Sequence, residues 1–382
     1  MAENHYICEK YPQMSKSTFT ISKDKPVIAV TGKLDGQGAE SLISVLSTRN
    51  STMLDFDGVE SISFAALRTL LEARRAGTRF FIINAADSVA ERFEDSGVSS
   101  VISISRKPRQ LDMSRYTVFG EGYMSKAYNS DDSETMLKVY GPRVPRELAA
   151  QEQAVARAVM LFGIPTPLVG KLYTDGESNA LDYERITDKR SFSRIISEEP
   201  ERLEEITLRF AGMCRQLHAT QCDTAIFDDR AIYYRQAVMK CQEINEEEKA
   251  RILEFVDGIP QETTCLHGDM QMSNIISTSR GDMWIDLAEF GYGNHLFDLG
   301  MWYFMCRLNT DQLNRHIFHF GNDTMEKIWP IFAREYFGPE MTLGEVDALV
   351  APFAALHMLY LGTFFGFQPH MMPFIRKELL GR

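Results

Sequence analysis

The stretch His267-Gly268-Asp269-Met270-Gln271-Met272-Ser273-Asn274 joins two short apolar runs, Cys265-Leu266 and Ile275-Ile276. It carries a carboxylate and an amide five residues apart. Phosphoryl transfer uses both groups, since a carboxylate orients the acceptor hydroxyl and Mg²⁺ binds through oxygen ligands. The spacing therefore predicts Asp269 as a catalytic carboxylate and Asn274 as a magnesium ligand, although an isolated Asp-x-x-x-x-Asn pattern is common by chance.

Two further carboxylates follow this loop in order. Asp286 ends the short apolar run Asp282-Met283-Trp284-Ile285-Asp286, where a second metal ligand is expected. Asp298 lies among apolar neighbours in Leu296-Phe297-Asp298-Leu299-Gly300, and a carboxylate buried there needs partners. We expect Asp298 to brace the catalytic loop. The ordered set favours a kinase site over the alternative that these are ordinary loop and helix-capping residues.

This set resembles the aminoglycoside phosphotransferase and choline kinase group of the protein-kinase-like fold, over roughly residues 111–382. That group has a His-Gly-Asp-x-x-x-x-Asn loop, an Ile-Asp strand and a Phe-Asp-Leu element, which all occur here in order. The resemblance implies a bilobal α+β domain over 109–382, with a small lobe at about 111–186 and a mostly helical lobe at about 187–382. It also implies ATP and Mg²⁺ as cofactors, a small hydroxyl-bearing molecule as acceptor, and a structural role for His267.

A glycine-containing segment, Phe119-Gly120-Glu121-Gly122-Tyr123-Met124-Ser125, lies between two strand-like runs of the small lobe. Gly120 and Gly122 would let the backbone close over phosphates, and Ser125 stands at the third position of the glycine pattern. These three residues are predicted to bind the nucleotide. A simple hairpin turn is the alternative.

The helix after the next strand has an apolar face with a carboxylate in it. Its members recur at steps of three and four residues: Leu148, Glu152, Val155, Val159 and Phe162. A carboxylate on a face that points to the core needs a cation, and Lys138 of the preceding strand is the natural one. Lys138 and Glu152 are thus predicted to form the ion pair that fixes the lysine on the nucleotide phosphates. Alternatively, Glu152 reaches solvent at the edge of the face.

The segment Asn179-Ala180-Leu181-Asp182-Tyr183-Glu184-Arg185-Ile186 resembles the interlobe hinge of the same group, whose backbone binds adenine. Glu184 and Ile186 are the expected backbone contacts. Aromatic residues of the C-terminal helices, among them Tyr360 and Phe364, are candidates for acceptor contacts, but aromatic residues at helical spacing more often belong to a core.

Residues 18–105 alternate between β-branched runs and helical stretches, which predicts an α/β domain. Its predicted strands are Phe19–Ser22, Pro26–Leu34, Met53–Asp57, Arg79–Asn84 and Val101–Ser105, and its predicted helices are Gly38–Ser47, Phe64–Arg75 and Asp87–Gly97. The polar segment Arg106-Lys107-Pro108-Arg109-Gln110 is the predicted linker, so the domain spans 1–108.

Over roughly residues 16–108 the chain resembles the STAS domain of anti-sigma factor antagonists, through the run Asp57-Gly58-Val59-Glu60-Ser61-Ile62-Ser63-Phe64-Ala65-Ala66. Regulated members of that family have a phosphorylatable serine where this chain has Phe64. The resemblance therefore implies docking of a protein partner, or a structural role, without a phosphorylation switch at that position. Ser61 and Ser63 are the alternative phosphoacceptors.

The net charge of −12 excludes a nucleic-acid partner, because neutralising phosphates takes a basic surface. Residues 1–110 contain 14 basic and 13 acidic side chains, so the acidic excess lies beyond them. That excess suits a cationic acceptor, or it serves solubility.

Composition predicts no membrane span, and the N-terminus lacks the basic-then-apolar order of a secretory signal, so a cytoplasmic location is expected. The competing hypothesis is a regulatory, nucleotide-binding scaffold in anti-sigma-type signalling with little or no turnover.

Overall fold

The computed structural model describes residues 19–21, 27–46, 52–121, 125–131, 134–142, 144–224 and 227–381. Contacts between residues divide the chain into two compact units. The first unit comprises Met1–Leu161 and Pro167–Arg185, and the second comprises Phe162–Thr166 and Ile186–Arg382. The predicted domain break at 108/109 therefore lies inside the first unit.

Strands and helices alternate at the start of the first unit, as the sequence predicts. The strands are β1 (Phe19–Ile21), β2 (Val27–Leu34), β3 (Thr52–Ile62), β4 (Phe80–Ala85) and β5 (Ile104–Arg106), and the helices are α1 (Gly36–Leu46), α2 (Phe64–Arg75) and α3 (Asp87–Asp95). The sheet has the order β1-β2-β3-β4-β5, in which β2 to β5 run parallel and β1 is antiparallel. Apolar side chains of the strands and helices form one core, as parallel sheets covered by helices require.

The strand β3 is longer than predicted. The sequence indicated a strand over Met53–Asp57, but the strand begins at Thr52 and continues to Ile62. Gly58 pairs with Thr31 beside a bulge in the ladder between β2 and β3. A Cβ atom at Gly58 would lie 2.6 Å from Thr31 Cγ2, so the missing side chain lets the two backbones approach instead of ending the strand.

Other element ends differ slightly from prediction. β5 begins at Ile104 because the chain first makes a 3₁₀ turn at Val98–Ser100. α2 occupies its predicted range, since the Ser63 hydroxyl accepts a hydrogen bond from the Ala66 N–H and caps the helix. The predicted strand ends at Ser22 and Pro26 and the predicted helix end at Ser47 lie outside the described residues.

A second, six-stranded sheet completes the first unit. Its strands are β6 (Arg109–Gln110), β7 (Tyr116–Glu121), β8 (Ser125–Ser130), β9 (Thr135–Tyr140), β10 (Val169–Thr174) and β11 (Asn179–Glu184), in the order β6-β10-β11-β9-β8-β7. Helix α4 (Arg146–Leu161) packs against β10 and β11 of this sheet and against β4 and β5 of the first. The predicted linker is not a free segment, because Arg106 ends β5 and β6 pairs in parallel with β10.

The second unit is mostly helical. Its helices are α5 (Phe192–Glu198), α6 (Leu203–Ala219), α7 (Arg230–Lys240), α8 (Glu246–Gly258), α9 (Leu296–Arg307), α10 (Asp311–Phe318), α11 (Asn322–Phe337), α12 (Leu343–Phe365) and α13 (Met371–Leu380). Its short strands are β12 (Arg190–Ser191), β13 (Thr264–Leu266), β14 (Ile275–Thr278), β15 (Gly281–Trp284) and β16 (Gly291–Gly293). They form a three-stranded sheet, β12-β14-β15, and a two-stranded one, β13-β16. Trp302 and Trp329 are fully buried among the helices.

One helix departs from the composition-based expectation about membranes. α12 is long and apolar enough to cross a bilayer by length and composition, whereas the sequence analysis predicted no such segment. Its most apolar window is 56% buried, and the helix packs against α7, α9 and α13. A core helix of a soluble protein passes the same test, and the burial of α12 accounts for its apolar composition.

Candidate active site

The predicted catalytic loop leaves β13 and reaches β14 through a 3₁₀ turn at Met272–Asn274. Within it, the Asn274 side-chain amide donates hydrogen bonds to the backbone oxygen and to Oδ2 of Asp269, both at 2.9 Å. The Gln271 amide lies 3.2 Å from both carboxylate oxygens of Asp269. The carboxylate of Asp269 is therefore fixed by two neighbours of its own loop.

The surroundings of Asp269 are strongly acidic. Burial raises the pKa of Asp269 to about 7, and the neighbouring carboxylates of Asp286 and Glu289 contribute to that rise. Asp286 is exposed and has a left-handed backbone, with φ of 60°, which few residues other than glycine adopt. The carboxylates of Asp286 and Glu289 disfavour the ionised form of Asp269. A divalent cation bound near these three groups would offset their mutual repulsion.

The two predicted metal ligands fit magnesium by their chemistry. The Asn274 amide nitrogen faces Asp269, and its Oδ1 accepts no hydrogen bond from the residues that the structure describes, while Asp286 supplies a carboxylate. In the same part of the chain, no three His, Cys, Asp or Glu side chains are grouped to hold a metal by themselves. Magnesium is usually bound by one or two protein groups, with phosphate and water oxygens completing its octahedron.

Asp298 braces the loop directly. Its Oδ2 accepts a hydrogen bond of 2.7 Å from the His267 N–H, and its Oδ1 accepts one of 2.9 Å from the Gly268 N–H. The His218 ring lies 3.2 Å from Oδ2, and its other nitrogen lies 2.7 Å from the Tyr336 hydroxyl. Burial alone would raise the pKa of Asp298, but these hydrogen bonds hold it below its usual value. The sequence predicted this bracing contact.

His267 connects the loop to the segment that carries Asp286. Its Nε2 lies 3.0 Å from the Ile285 carbonyl, and its Nδ1 accepts a hydrogen bond of 3.3 Å from the Asp269 N–H. Burial lowers the pKa of His267, so the ring is neutral, with Nε2 as the donor. The ring therefore joins the loop to the segment that carries Asp286.

Gly268 occupies a place that no side chain fits. Its φ is 81°, and a Cβ atom there would lie 2.2 Å from the Glu289 carbonyl oxygen. Both the left-handed backbone and the backbone contact exclude any other residue. The Gly of the His-Gly-Asp sequence is thus required by the path of the loop.

We expect Gly268→Ala to lower the free energy of unfolding of the second unit by roughly 2 to 5 kcal/mol, from backbone strain and overpacking. All three tryptophans, Trp284, Trp302 and Trp329, belong to that unit, so tryptophan fluorescence during urea unfolding reports on it. Gly212→Ala is the matched control, because a Cβ atom in the middle of α6 meets no atom within 4 Å. The control should be neutral or stabilising by up to about 1 kcal/mol. Equal midpoints for the two variants would contradict the expectation.

The predicted ion pair of the first unit is present. Lys138 Nζ in β9 lies 2.8 Å from Glu152 Oε1 in α4, and the Glu152 side chain is only 4% exposed. The Tyr140 and Tyr183 hydroxyls also donate to Glu152, each at 2.7 Å. The alternative, in which Glu152 reaches solvent, is therefore wrong.

The apolar face of α4 differs from prediction at both ends. Val155 and Val159 are buried with Glu152, but Leu148 is exposed in the first turn. Phe162 lies beyond the last residue of the helix and belongs to the second unit, where its ring centroid is 5.7 Å from that of Phe227. The face that surrounds Glu152 is thus shorter than the sequence pattern indicated.

Glu152→Gln keeps the size of the side chain and removes the charge that holds Lys138. We expect kcat/KM for ATP to fall on the order of tenfold to a hundredfold, the usual value of a charged hydrogen bond, while the protein remains folded. Initial rates at varied ATP concentration measure this change. The control is Glu147→Gln, five residues earlier on α4, where no ion pair occurs among described residues. A similar loss in both variants would show a general effect on the helix.

The other predicted nucleotide contacts lie on the same sheet or at its end. Gly120 in β7 pairs with Ala127, and Ser125 begins β8, so the segment is a strand pair; Gly122 between them lies outside the described residues. The Glu184 N–H at the end of β11 donates to the Leu168 carbonyl at 2.8 Å. Ile186 is buried at the start of the second unit, and its backbone groups bond to no residue that the structure describes.

Three residues that were not predicted from the sequence, Arg230, Tyr233 and Glu289, form a polar cluster with Tyr360, which was a candidate acceptor contact. Arg230 is 5% exposed, and its guanidinium lies 2.6 Å from Glu289 Oε2 and 4.4 Å from the centre of the Tyr233 ring. The Tyr360 hydroxyl lies 3.5 Å from the same carboxylate oxygen. Arg230 and Glu289 are 59 residues apart, and no periodicity links them. Only the place of Glu289, three residues after Asp286, could have indicated it.

The model of the phosphotransferase enzyme family matches residues 116–330, which is more than half of the chain. No curated protein matches the chain significantly.

Among solved structures, the chain is similar to an aminoglycoside-3'-phosphotransferase of type VIII at 17% identity, which covers 65% of this chain and 94% of that one, with a TM-score of 0.46. A choline/ethanolamine kinase family protein from Mesorhizobium loti is 16% identical, with 69% and 85% covered and a TM-score of 0.44. An aminoglycoside phosphotransferase from Streptomyces rimosus, in complex with ADP and streptomycin, is 16% identical, with 68% and 92% covered and a TM-score of 0.41.

Proposed function

The chain belongs to the phosphotransferase enzyme family and is a phosphotransferase with an alcohol group as its acceptor; we propose that ATP is the donor and a small molecule the acceptor. The observation that carries the proposal is the loop from His267 to Asn274. Its carboxylate, Asp269, is held by two loop side chains, while Asp298 and His267 fix the backbone on either side. Such a preorganised carboxylate suits the orientation of an acceptor hydroxyl.

Each predicted residue has a role in this proposal. Lys138, fixed by Glu152, would hold the α- and β-phosphates of ATP. Asn274 and Asp286 would hold Mg²⁺, which neutralises the charge of the transferring phosphate when bound. Asp269 would accept a hydrogen bond from the acceptor hydroxyl and take its proton as the new oxygen–phosphorus bond forms. The bond from the γ-phosphorus to the bridging oxygen of ATP would break, and ADP would leave.

The acidic groups around Asp269 support an acceptor that carries positive charge. The carboxylates of Asp286 and Glu289 both act on Asp269, and the Glu289 side chain is 40% exposed, so a ligand has access to it. An amine or quaternary ammonium next to the reacting hydroxyl would be attracted to the Glu289 carboxylate, which it would share with Arg230, and to the Tyr360 ring. Aminoglycosides and choline combine these two groups, whereas neutral sugars carry only the hydroxyl.

The test of this function is direct. Purified full-length protein is incubated with ATP and Mg²⁺ against choline, aminoglycosides and neutral sugars, and the products are identified by ³¹P NMR. A new phosphate ester with a cationic acceptor, abolished by chelation of Mg²⁺, is the expected result. Thermal stabilisation by ATP and Mg²⁺ without any ester would contradict the proposal and favour the regulatory scaffold.

A docking role for the N-terminal domain is a further part of the proposal. Phe64 is 63% exposed at the start of α2, and the Arg92 guanidinium lies 4.7 Å from the centre of its ring. An exposed aromatic residue beside a cation is typical of contacts with proteins. Phe64 stands where the resemblance to STAS domains places the phosphorylated serine, so a partner would meet it without a phosphorylation switch.

A further inference from the structure

The first unit contains a cationic pocket of about 150 Å³ where its two sheets meet α4. We use "cationic pocket" for the cavity lined by the basic side chains Arg106, Lys107, Arg109, Arg157 and Lys171. Glu94 is the one carboxylate among its lining residues. One water needs about 10 to 15 Å³, so the cavity has room for a small ligand. None of these residues belongs to the catalytic loop or to the predicted nucleotide contacts.

Arg157 lies in the wall of the pocket with no carboxylate of its own. Its guanidinium donates to the backbone oxygens of Gly170 at 2.9 Å and Ile104 at 3.4 Å, and it makes no ion pair with any residue the structure describes. Burial lowers the pKa of Arg157, against the opposing effect of the Glu94 and Asp182 carboxylates. A desolvated guanidinium with free donors favours an anion.

The floor of the pocket is built by a buried side chain. Gln153 is 2% exposed, accepts a hydrogen bond of 2.6 Å from the Ser105 hydroxyl, and donates one of 2.6 Å to the Gly170 carbonyl. These bonds join the two sheets through α4. They hold the surrounding cations on fixed backbone, so a ligand would find the site largely formed.

The remaining cations have weak or solvent-exposed partners. Arg106 pairs with Glu94 at 2.7 Å, Asp87 at 3.0 Å and Glu91 at 3.9 Å. Arg109 pairs with Asp87 at 3.4 Å, and Lys107 pairs with Asp57 at 3.2 Å. Exposed pairs of this kind contribute about 0 to 1 kcal/mol, so an anion can exchange with them. Lys171 is exposed, and its ammonium forms no ion pair within the described ranges.

We propose that the cationic pocket binds a compact phosphate-type oxyanion, either free or carried by a phosphorylated small molecule. Planar guanidinium groups recognise phosphate oxygens in pairs, and two arginines and a lysine can reach the same ligand here. The site is regulatory, because Gln153 on its floor is adjacent to Glu152, which fixes Lys138. An anion that draws β5, β10 and α4 together stabilises the helix on which that ion pair depends.

Isothermal titration of full-length protein without Mg²⁺ tests the site, with inorganic phosphate, pyrophosphate and glycerol phosphate as probes. We expect Arg157→Gln and Lys171→Gln to weaken pyrophosphate binding roughly tenfold or more. Lys171→Gln is the safer variant, since Lys171 is exposed and its loss does not affect folding. Lys138→Gln removes the cation proposed for nucleotide phosphates and should leave this binding unchanged. Tighter binding of glycerol phosphate than of inorganic phosphate would identify a phosphorylated small molecule as the ligand. Equal affinity for the two probes would identify a free anion.

Loss of binding in Lys138→Gln, with full binding in Lys171→Gln, would place the anion at the nucleotide site and overturn the inference. The titration needs no turnover, so its result is independent of the proposed function. As a second readout, phosphate should lower the KM for ATP in the parent protein and leave it unchanged in Lys171→Gln. An equal response of both proteins would overturn the regulatory role.

Discussion

Asp269→Ala is expected to lower kcat roughly 10²- to 10⁴-fold, the usual contribution of a positioned general base. The residue lies in a loop whose backbone is held by Asp298 and His267, so its truncation leaves the nucleotide and metal groups in place. ATP binding, measured by titration with Mg²⁺, should therefore remain within a few-fold of the parent protein. The loss belongs to the chemical step and not to substrate affinity.

Ser273→Ala is the matched control for Asp269→Ala. Its hydroxyl belongs to the same loop but contacts the Ser193 hydroxyl and the Ile317 carbonyl, both at 3.1 Å, and not the carboxylate. The control should retain most of its activity. Unchanged kcat in Asp269→Ala would remove Asp269 from the reaction and with it the assignment of the loop.

Asp298→Ala should lower the free energy of unfolding of the second unit by about 3 to 5 kcal/mol, as for the breaking of a buried charge network. Two backbone N–H groups of the loop, those of His267 and Gly268, lose their acceptors, and His218 loses a partner. Urea unfolding followed by tryptophan fluorescence measures the change. Activity should fall as well, because the loop is no longer held in its catalytic path.

Asp323→Ala is the comparison for Asp298→Ala. Asp323 is an exposed carboxylate of the same unit, with Arg315 at 3.9 Å as its nearest cation, and its loss should cost no more than about 1 kcal/mol. If the two variants unfolded at the same urea concentration, Asp298 would not be the brace that its hydrogen bonds indicate.

The contacts that could be predicted from the sequence are those of charged residues that lie among apolar residues. Glu152 on an apolar face and Asp298 among apolar neighbours both need a partner, and the partners are close in the chain or in a recognisable motif. Lys138 lies 14 residues before Glu152, and the backbone that Asp298 accepts from lies about 30 residues before it. A charged residue in an apolar segment therefore predicts a contact when its partner is near in the sequence or belongs to a known motif.

The features that could not be predicted depend on the three-dimensional path of the chain. Arg230 begins α7 and Glu289 lies in a loop, and no sequence pattern at either residue predicts that they pair. Gly58 looks like a turn residue in sequence, and only its approach to Thr31 shows that it continues a strand. The length and apolar character of α12 were underestimated from the sequence. A buried core helix and a membrane span have similar compositions, and only the tertiary structure shows which helices pack around α12.

The hydrogen bond between Ser105 and Gln153 joins the N-terminal sheet to α4, so the two sheets of the first unit depend on each other. α4 packs on β4 and β5 as well as on β10 and β11, so the N-terminal domain supplies part of the surface on which the small lobe folds. Excision at residue 108 would remove the Ser105 partner of Gln153 and the Ile104 partner of Arg157, leaving each with the Gly170 carbonyl, and would expose apolar residues of α4. We therefore expect the two sheets of the first unit to unfold together, as one cooperative unit.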